Sequence, residues 1–346
     1  MLYRLRNRGR CFLTQVSIAT PTPTRKAVER LKTSTMKFLT PLILFALLVP
    51  GTVSAGTDND ERASRMTIMQ AVVLGAVEGF TEYLPVSSTG HLILTQRAMG
   101  IGQTEEDNQA ADAYSICIQA GAILAVLTLY FPFVRRMFNG LRGRDPEGLR
   151  LGINIMIAFL PAAVIGLLFH GVIKDYLFGL WPIVFAWFVG GLTILAAGRR
   201  KLDSPGRSGL SIEQLTWKHA LLIGMIQCIA MWPGTSRSLV IIVGGLLVGM
   251  QLKSAVVFSF LLGAVTLTAA TAYDTMKHGQ LMLEVFGFTN IAVGFAMATI
   301  TAVLSVKWFI AYLQKRGLAL FGWYRVVLAI VVAALILTGL LSDRIS

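Results

Sequence analysis

Charge is scarce in this chain of 346 residues: 14% are Asp, Glu, Lys or Arg, while 55% are hydrophobic. So few charges, with a mean hydropathy of +0.66, exclude an ordinary soluble domain and imply a polytopic membrane protein. Cysteine is almost missing. Cys11, Cys117 and Cys228 lie far apart, which rules out a disulfide framework or a zinc ribbon, and the latter two sit in apolar runs where packing suffices. Acidic residues number 18 against 31 basic ones, a net charge of +13. That excess does not describe a nucleic-acid surface. Nine basic residues and one acidic residue fall within 1–55, leaving 22 against 17, a net of +5, for the rest. Basic loops at a membrane surface are the better reading. Histidine is rare too, and His170, His219 and His278 stand near segment ends, as interfacial residues do.

Residues 1–35 are basic, rich in Thr and Pro, and nonperiodic, as expected of a leader that is untranslated or has no fold. At Met36 the character changes: Lys37 is a charged flank, 38–49 an apolar stretch, and Val53-Ser54-Ala55 a small-residue cleavage pattern. The expectation is a signal peptide over 36–55, with Met36 as initiator, too short to span a hydrocarbon core ~30 Å thick. Residues 66–346 then form a single membrane-embedded domain.

Six apolar segments have lengths suited to transmembrane helices: about 113–134, 151–171, 177–197, 254–273, 286–306 and 322–341. The loops 135–150 and 198–218, and Lys307, Lys315 and Arg316 after the fifth segment, concentrate basic residues. All fall on one side if the mature N-terminus is outside.

Two further stretches are interrupted. In 74–91, LGAVEGFTEYLPVSSTGH, Glu78 and Glu82 share a helical face, Pro85 stops the helix, and Ser87, Ser88, Thr89, Gly90 and His91 follow. Carboxylates at membrane depth are costly and signal function. The second stretch, 216–250, echoes the first: Gly75-x-x-Glu78 matches Gly224-x-x-Gln227, and Leu84-Pro85-Val86-Ser87-Ser88 matches Trp232-Pro233-Gly234-Thr235-Ser236. Each unit, about 66–197 and 215–341, is a broken hairpin followed by three crossings. An odd number of crossings inverts the second unit. The expected fold is therefore all-α, with six transmembrane helices and two re-entrant helical hairpins as inverted-topology repeats meeting near the midplane.

Arg237, within PGTSRS, suits an anion with several oxygens, because a guanidinium fork pairs with phosphate and Ser236 and Ser238 add donors. Neutralising Glu78 or Glu82 is a compatible role. Two carboxylates without paired His or Cys favour a hard cation, Mg2+ or Ca2+, held by Glu78 and Glu82. Ser88 is a candidate nucleophile and His91 a candidate base, one helical turn on; water activated by Glu82 is the alternative.

These motifs resemble the undecaprenyl-diphosphate phosphatase family of bacteria, known for bacitracin resistance. The resemblance rests on 78–91, Gln119 with Gly121, and Pro233-Gly234-Thr235-Ser236-Arg237-Ser238. Leu160-Pro161-Ala162 and Phe321-x-x-Tyr324-Arg325 match more weakly, and the whole spans roughly 67–341. Departures occur at Leu239, Val240 and Ile241, where the family usually has Gly, Ala and Thr, and at Val257, commonly acidic. The resemblance implies release of one phosphate from a polyprenyl diphosphate lipid. Glu78, Glu82, Ser88, His91 and Arg237 would be catalytic, with Ser87, Thr89, Ser236 and Ser238 binding substrate. It implies an inner-membrane, multi-pass protein with its site facing the periplasmic or outer side, membrane lipids and a second copy of itself as partners, and no nucleic acid. A transporter or flippase for polyprenyl phosphate is the alternative, since inverted repeats and a midplane site serve it equally.

Overall fold

The computed structural model describes residues 66–341 apart from 102–104, 178 and 205; the expected leader and signal peptide lie outside the described residues. Among those residues the chain is helical, with no strand and one isolated bridge between Leu210 and Met250. The helices are α1 (Ile68–Thr81), α2 (Ser88–Ala98), α3 (Glu105–Leu129), α4 (Phe131–Leu141), α5 (Pro146–Leu177), α6 (Leu180–Arg199), α7 (Trp217–Gln227), α8 (Arg237–Leu247), α9 (Leu252–Leu313) and α10 (Ala319–Leu337). Short 3-10 turns cover Ile212–Gln214 and Cys228–Met231. Within α3, α5, α6, α9 and α10 lie five segments long and apolar enough to cross a membrane, which makes this an all-α, multi-pass membrane protein.

Two segment boundaries differ from the sequence expectation. The run placed at 113–134 stops at Leu129: Tyr130 takes φ −107° and ψ 21°, and Pro132 is accommodated in the first turn of α4. The gap expected between 273 and 286 is helical. Polar residues there form i,i+4 pairs, His278 Nδ1 with Asp274 at 4.0 Å and Gln280 Nε2 donating to Glu284 at 3.0 Å. The interruption falls instead at Gly287, whose φ of 73° and ψ of 154° divide α9. A straight helix of 62 residues would be ~93 Å long, three times a bilayer core, and the break at Gly287 interrupts it.

Lipid tails are as apolar as leucine, so close packing and interhelical hydrogen bonds must hold the helices together. α1 packs against α9 so closely that a Cβ on Gly75 would lie 2.3 Å from the Gly294 carbonyl oxygen. On that seam Ser305 Oγ donates to the Gly79 carbonyl at 3.2 Å. α7 meets α5 the same way: a Cβ on Gly224 would lie 2.4 Å from the Ala158 carbonyl oxygen. The two glycines that the sequence matched thus make equivalent contacts.

The two breaks share a backbone device. Ser87 (φ 74°, ψ 101°) precedes α2 and Ser236 (φ 73°, ψ 112°) precedes α8; the third non-glycine described residue with positive φ is Lys201. Each such conformation costs ~1–3 kcal/mol and persists only where its surroundings enforce it. The structural equivalence therefore pairs Ser87 with Ser236, not with Thr235. The second break has one more residue between its proline and its serine, and Gly234 takes up that residue at φ 89°.

Candidate active site

α1 carries Glu78 on its last turn, and Glu82 follows directly as its C-cap; both are buried. Pro85 prevents further helix, and the strained Ser87 turns the chain so that Ser88 opens α2. The Ser88 hydroxyl donates to Glu82 Oε2. The same oxygen accepts from Gln119 Nε2 of α3 at 3.3 Å. Across the site Arg237, the first residue of α8, brings Nη2 to 3.6 Å from Glu82 Oε1. One carboxylate thus joins three elements.

Around this centre several polar atoms are left over. Both carboxylate oxygens of Glu78, Nη1 of Arg237 and the Tyr83 hydroxyl are buried and find no hydrogen-bond partner among the described residues. Glu78 nevertheless lies close enough to the charges of Glu82 and Arg237, and to the Gln119 amide, to be influenced by each. Buried groups without partners are expensive, and their clustering marks a place built for a ligand that brings its own donors and acceptors. Gln227, matched to Glu78 in the second stretch, is likewise buried with both amide atoms unpartnered.

His91 is placed differently from the sequence expectation. Its Nδ1 lies 2.6 Å from the Ser87 carbonyl oxygen and its Nε2 lies 2.6 Å from the Tyr324 hydroxyl. A carbonyl only accepts, so Nδ1 carries the proton, and in the neutral ring Nε2 accepts from the phenol. The imidazole also stacks on Tyr324, with centroids 5.8 Å apart and planes 8° from parallel, and meets the Trp187 edge. Ser88 is paired with Glu82, not with His91.

Ser236 and Ser238 are also committed. Ser238 Oγ donates to the Leu84 carbonyl at 2.8 Å, the two hydroxyls lie 3.0 Å apart, and Ser236 Oγ accepts from the Leu239 amide as a helix cap. These serines of the second break therefore brace the backbone of the first. Ser87 contributes its carbonyl and no side-chain cap, and Thr89 is exposed on the first turn of α2.

Sequence reasoning assigned no role to Arg325 or Tyr324 on α10. Arg325 is fully buried and donates from Nη1 to the Pro85 carbonyl (3.3 Å) and from Nη2 to those of Gly234 and Ala186 (both 2.9 Å). Its Nε reaches the Trp187 carbonyl at 3.4 Å. Gly190 makes room for it, since a Cβ there would lie 2.3 Å from Nη2. Pro85 and Gly234 belong to the two breaks, so one guanidinium ties both together. The signal was legible: α10 is otherwise apolar, and an arginine within such a run needs a reason.

No group of three or more His, Cys, Asp or Glu that could hold a metal occurs among the described residues. Two carboxylates, one with both oxygens free of hydrogen bonds, still suit a hard cation that takes its remaining ligands from phosphate and water.

The chain is similar to known proteins over most of its length. The family model described as bacitracin resistance protein BacA matches residues 71–331. An undecaprenyl-diphosphatase of Sorangium cellulosum is 43% identical over 263 residues, covering 76% of this chain and 84% of the relative. Undecaprenyl-diphosphatase 2 of Rhodospirillum rubrum is 42% identical over 276 residues, 80% of this chain and 97% of the relative. An undecaprenyl-diphosphatase of Rhodopseudomonas palustris is 42% identical over 262 residues, with 75% and 94% covered.

Proposed function

The chain belongs to the bacitracin resistance protein BacA family, and on that premise we propose that it hydrolyses undecaprenyl diphosphate to undecaprenyl phosphate and inorganic phosphate. The reaction returns a lipid carrier to cell-wall synthesis and accounts for bacitracin resistance. The observation that carries this reading is the convergence of Ser88 and Arg237 on the carboxylate of Glu82. A hydroxyl hydrogen-bonded to a carboxylate is more than transport needs, and the relatives' names also favour hydrolysis over a carrier.

Glu82 Oε2 takes the Ser88 proton while Oγ attacks the terminal phosphorus. The bond from that phosphorus to the bridging oxygen breaks, and the lipid monophosphate leaves with the electron pair, protonated by Glu82. Water then attacks the phosphoserine and gives its proton to Glu82. Inorganic phosphate departs as the Ser88 oxygen recovers a proton. Arg237, with Nη1 uncommitted, forks onto the transferred phosphoryl oxygens and balances their charge. His91 locks the turn that presents Ser88, through the Ser87 carbonyl and Tyr324. Glu78 and Glu82 would hold Mg2+ or Ca2+, which when bound would shield the diphosphate and polarise its bridging oxygen.

The two broken segments are re-entrant hairpins of inverted repeats, with six crossings once α9 is divided at Gly287. The paired positive-φ serines and the paired glycine contacts support that plan. Basic loops on one side support an inner-membrane protein whose site opens to the outer side.

Phosphate release from purified protein supplied with a C55 diphosphate, with and without chelator, tests the proposal. Metal-dependent release, abolished in Glu82→Gln, is expected. Equal turnover by the two proteins would refute the role of Glu82.

A further inference from the structure

Five arginines stand between residues 131 and 150, and the neighbouring acids serve only one of them. Arg136 pairs with Asp145, Glu147 and Glu213 at 3.1, 2.7 and 3.5 Å. The Gly148 amide, then Arg136, hold the Asp145 carboxyl below its ordinary range, so it stays ionised and committed. Arg150 donates to the Glu213 carbonyl. Arg135, Arg142 and Arg144 are exposed and have no carboxylate partner among the described residues.

The short helix α4 explains how they are presented. Phe133 and Met137 pack inward, and Gly140 is buried against α5. The outward face carries Phe131, Arg135, Phe138 and Arg142 at steps of four, three and four, one stripe on a helix. The two phenylalanines are 59% and 58% exposed. With Asn139 and Arg144 this stripe lines a hollow of about 510 Å³. A free anion would explain the guanidiniums but not two uncovered aromatic rings. A zwitterionic lipid would leave three positive charges unbalanced.

We propose that this hollow binds the phosphodiester headgroup of an anionic glycerophospholipid. The arginine forks hold the phosphate and an acyl chain lies along Phe131 and Phe138. The site is separate from the one that cleaves substrate and does not depend on that assignment.

The test is native mass spectrometry of the full chain in detergent, titrated with phosphatidylglycerol, phosphatidylcholine or inorganic phosphate. Wild type should retain phosphatidylglycerol about tenfold better than phosphatidylcholine. The combined Arg135→Gln, Arg142→Gln, Arg144→Gln variant should lose at least about tenfold in that affinity, with its thermal unfolding unchanged. Phe131→Ser with Phe138→Ser should also weaken retention, and Glu82→Gln should bind as wild type does. Equal retention by wild type and the triple variant would overturn the proposal. So would equal binding of phosphatidylcholine, or displacement of the lipid by inorganic phosphate at comparable concentration.

Discussion

Ser88 and Arg237 hold the same position in two half-helices: each is the first helical residue after a serine at φ 73–74°, and each reaches the carboxylate of Glu82. A hydroxyl stands at that place in one half and a guanidinium in the other. The proposed nucleophile and the proposed phosphate ligand therefore follow the same backbone device, a positive-φ serine at the start of a helix.

Arg237→Lys should reduce kcat/KM for the C55 diphosphate by about 10²–10³-fold, because a point charge cannot both face Glu82 and fork onto the phosphoryl group. Steady-state phosphate release measures it, and a loss under threefold would remove Arg237 from that role.

A general base typically contributes about 10²–10⁴-fold, whereas a positioning contact contributes less. With both ring nitrogens occupied, His91→Asn, whose amide can still donate to the Ser87 carbonyl, should keep kcat within about tenfold of wild type. Tyr324→Phe should do the same. A loss beyond about 10³-fold in His91→Asn would restore the imidazole to the proton transfer.

Arg325→Met removes the donors to four carbonyls and should cost roughly 3 kcal/mol or more of stability. Thermal unfolding in detergent reads that loss. Since Pro85 and Gly234 would then move independently, kcat should also fall while KM changes little. Wild-type stability in Arg325→Met would contradict the bridging role.

Ser238→Ala should lower stability by about 1 kcal/mol and activity only mildly, because its hydroxyl serves the Leu84 carbonyl rather than substrate. Ser88→Ala should retain its stability and lose turnover. If Ser238→Ala proved as inactive as Ser88→Ala, the brace would have to be reassigned to substrate binding.

The acid pair, the serine-rich turn and Arg237 could be found in the chain itself, since charge and hydroxyl inside apolar runs are costly enough to demand an explanation. Composition and run length likewise established a helical membrane protein. Other features needed tertiary structure because they depend on neighbours distant in sequence. Whether His91 faces Ser88 or Tyr324 depends on where α10 packs, 233 residues on. Whether Ser238 serves a ligand or the Leu84 carbonyl depends on how closely the two breaks approach. The helical stretch through 274–285 shows the limit of hydropathy, because polar residues paired along a helix read like a loop until the backbone is seen. Periodicity and cost thus determine which residues must be explained, and packing decides what each of them touches.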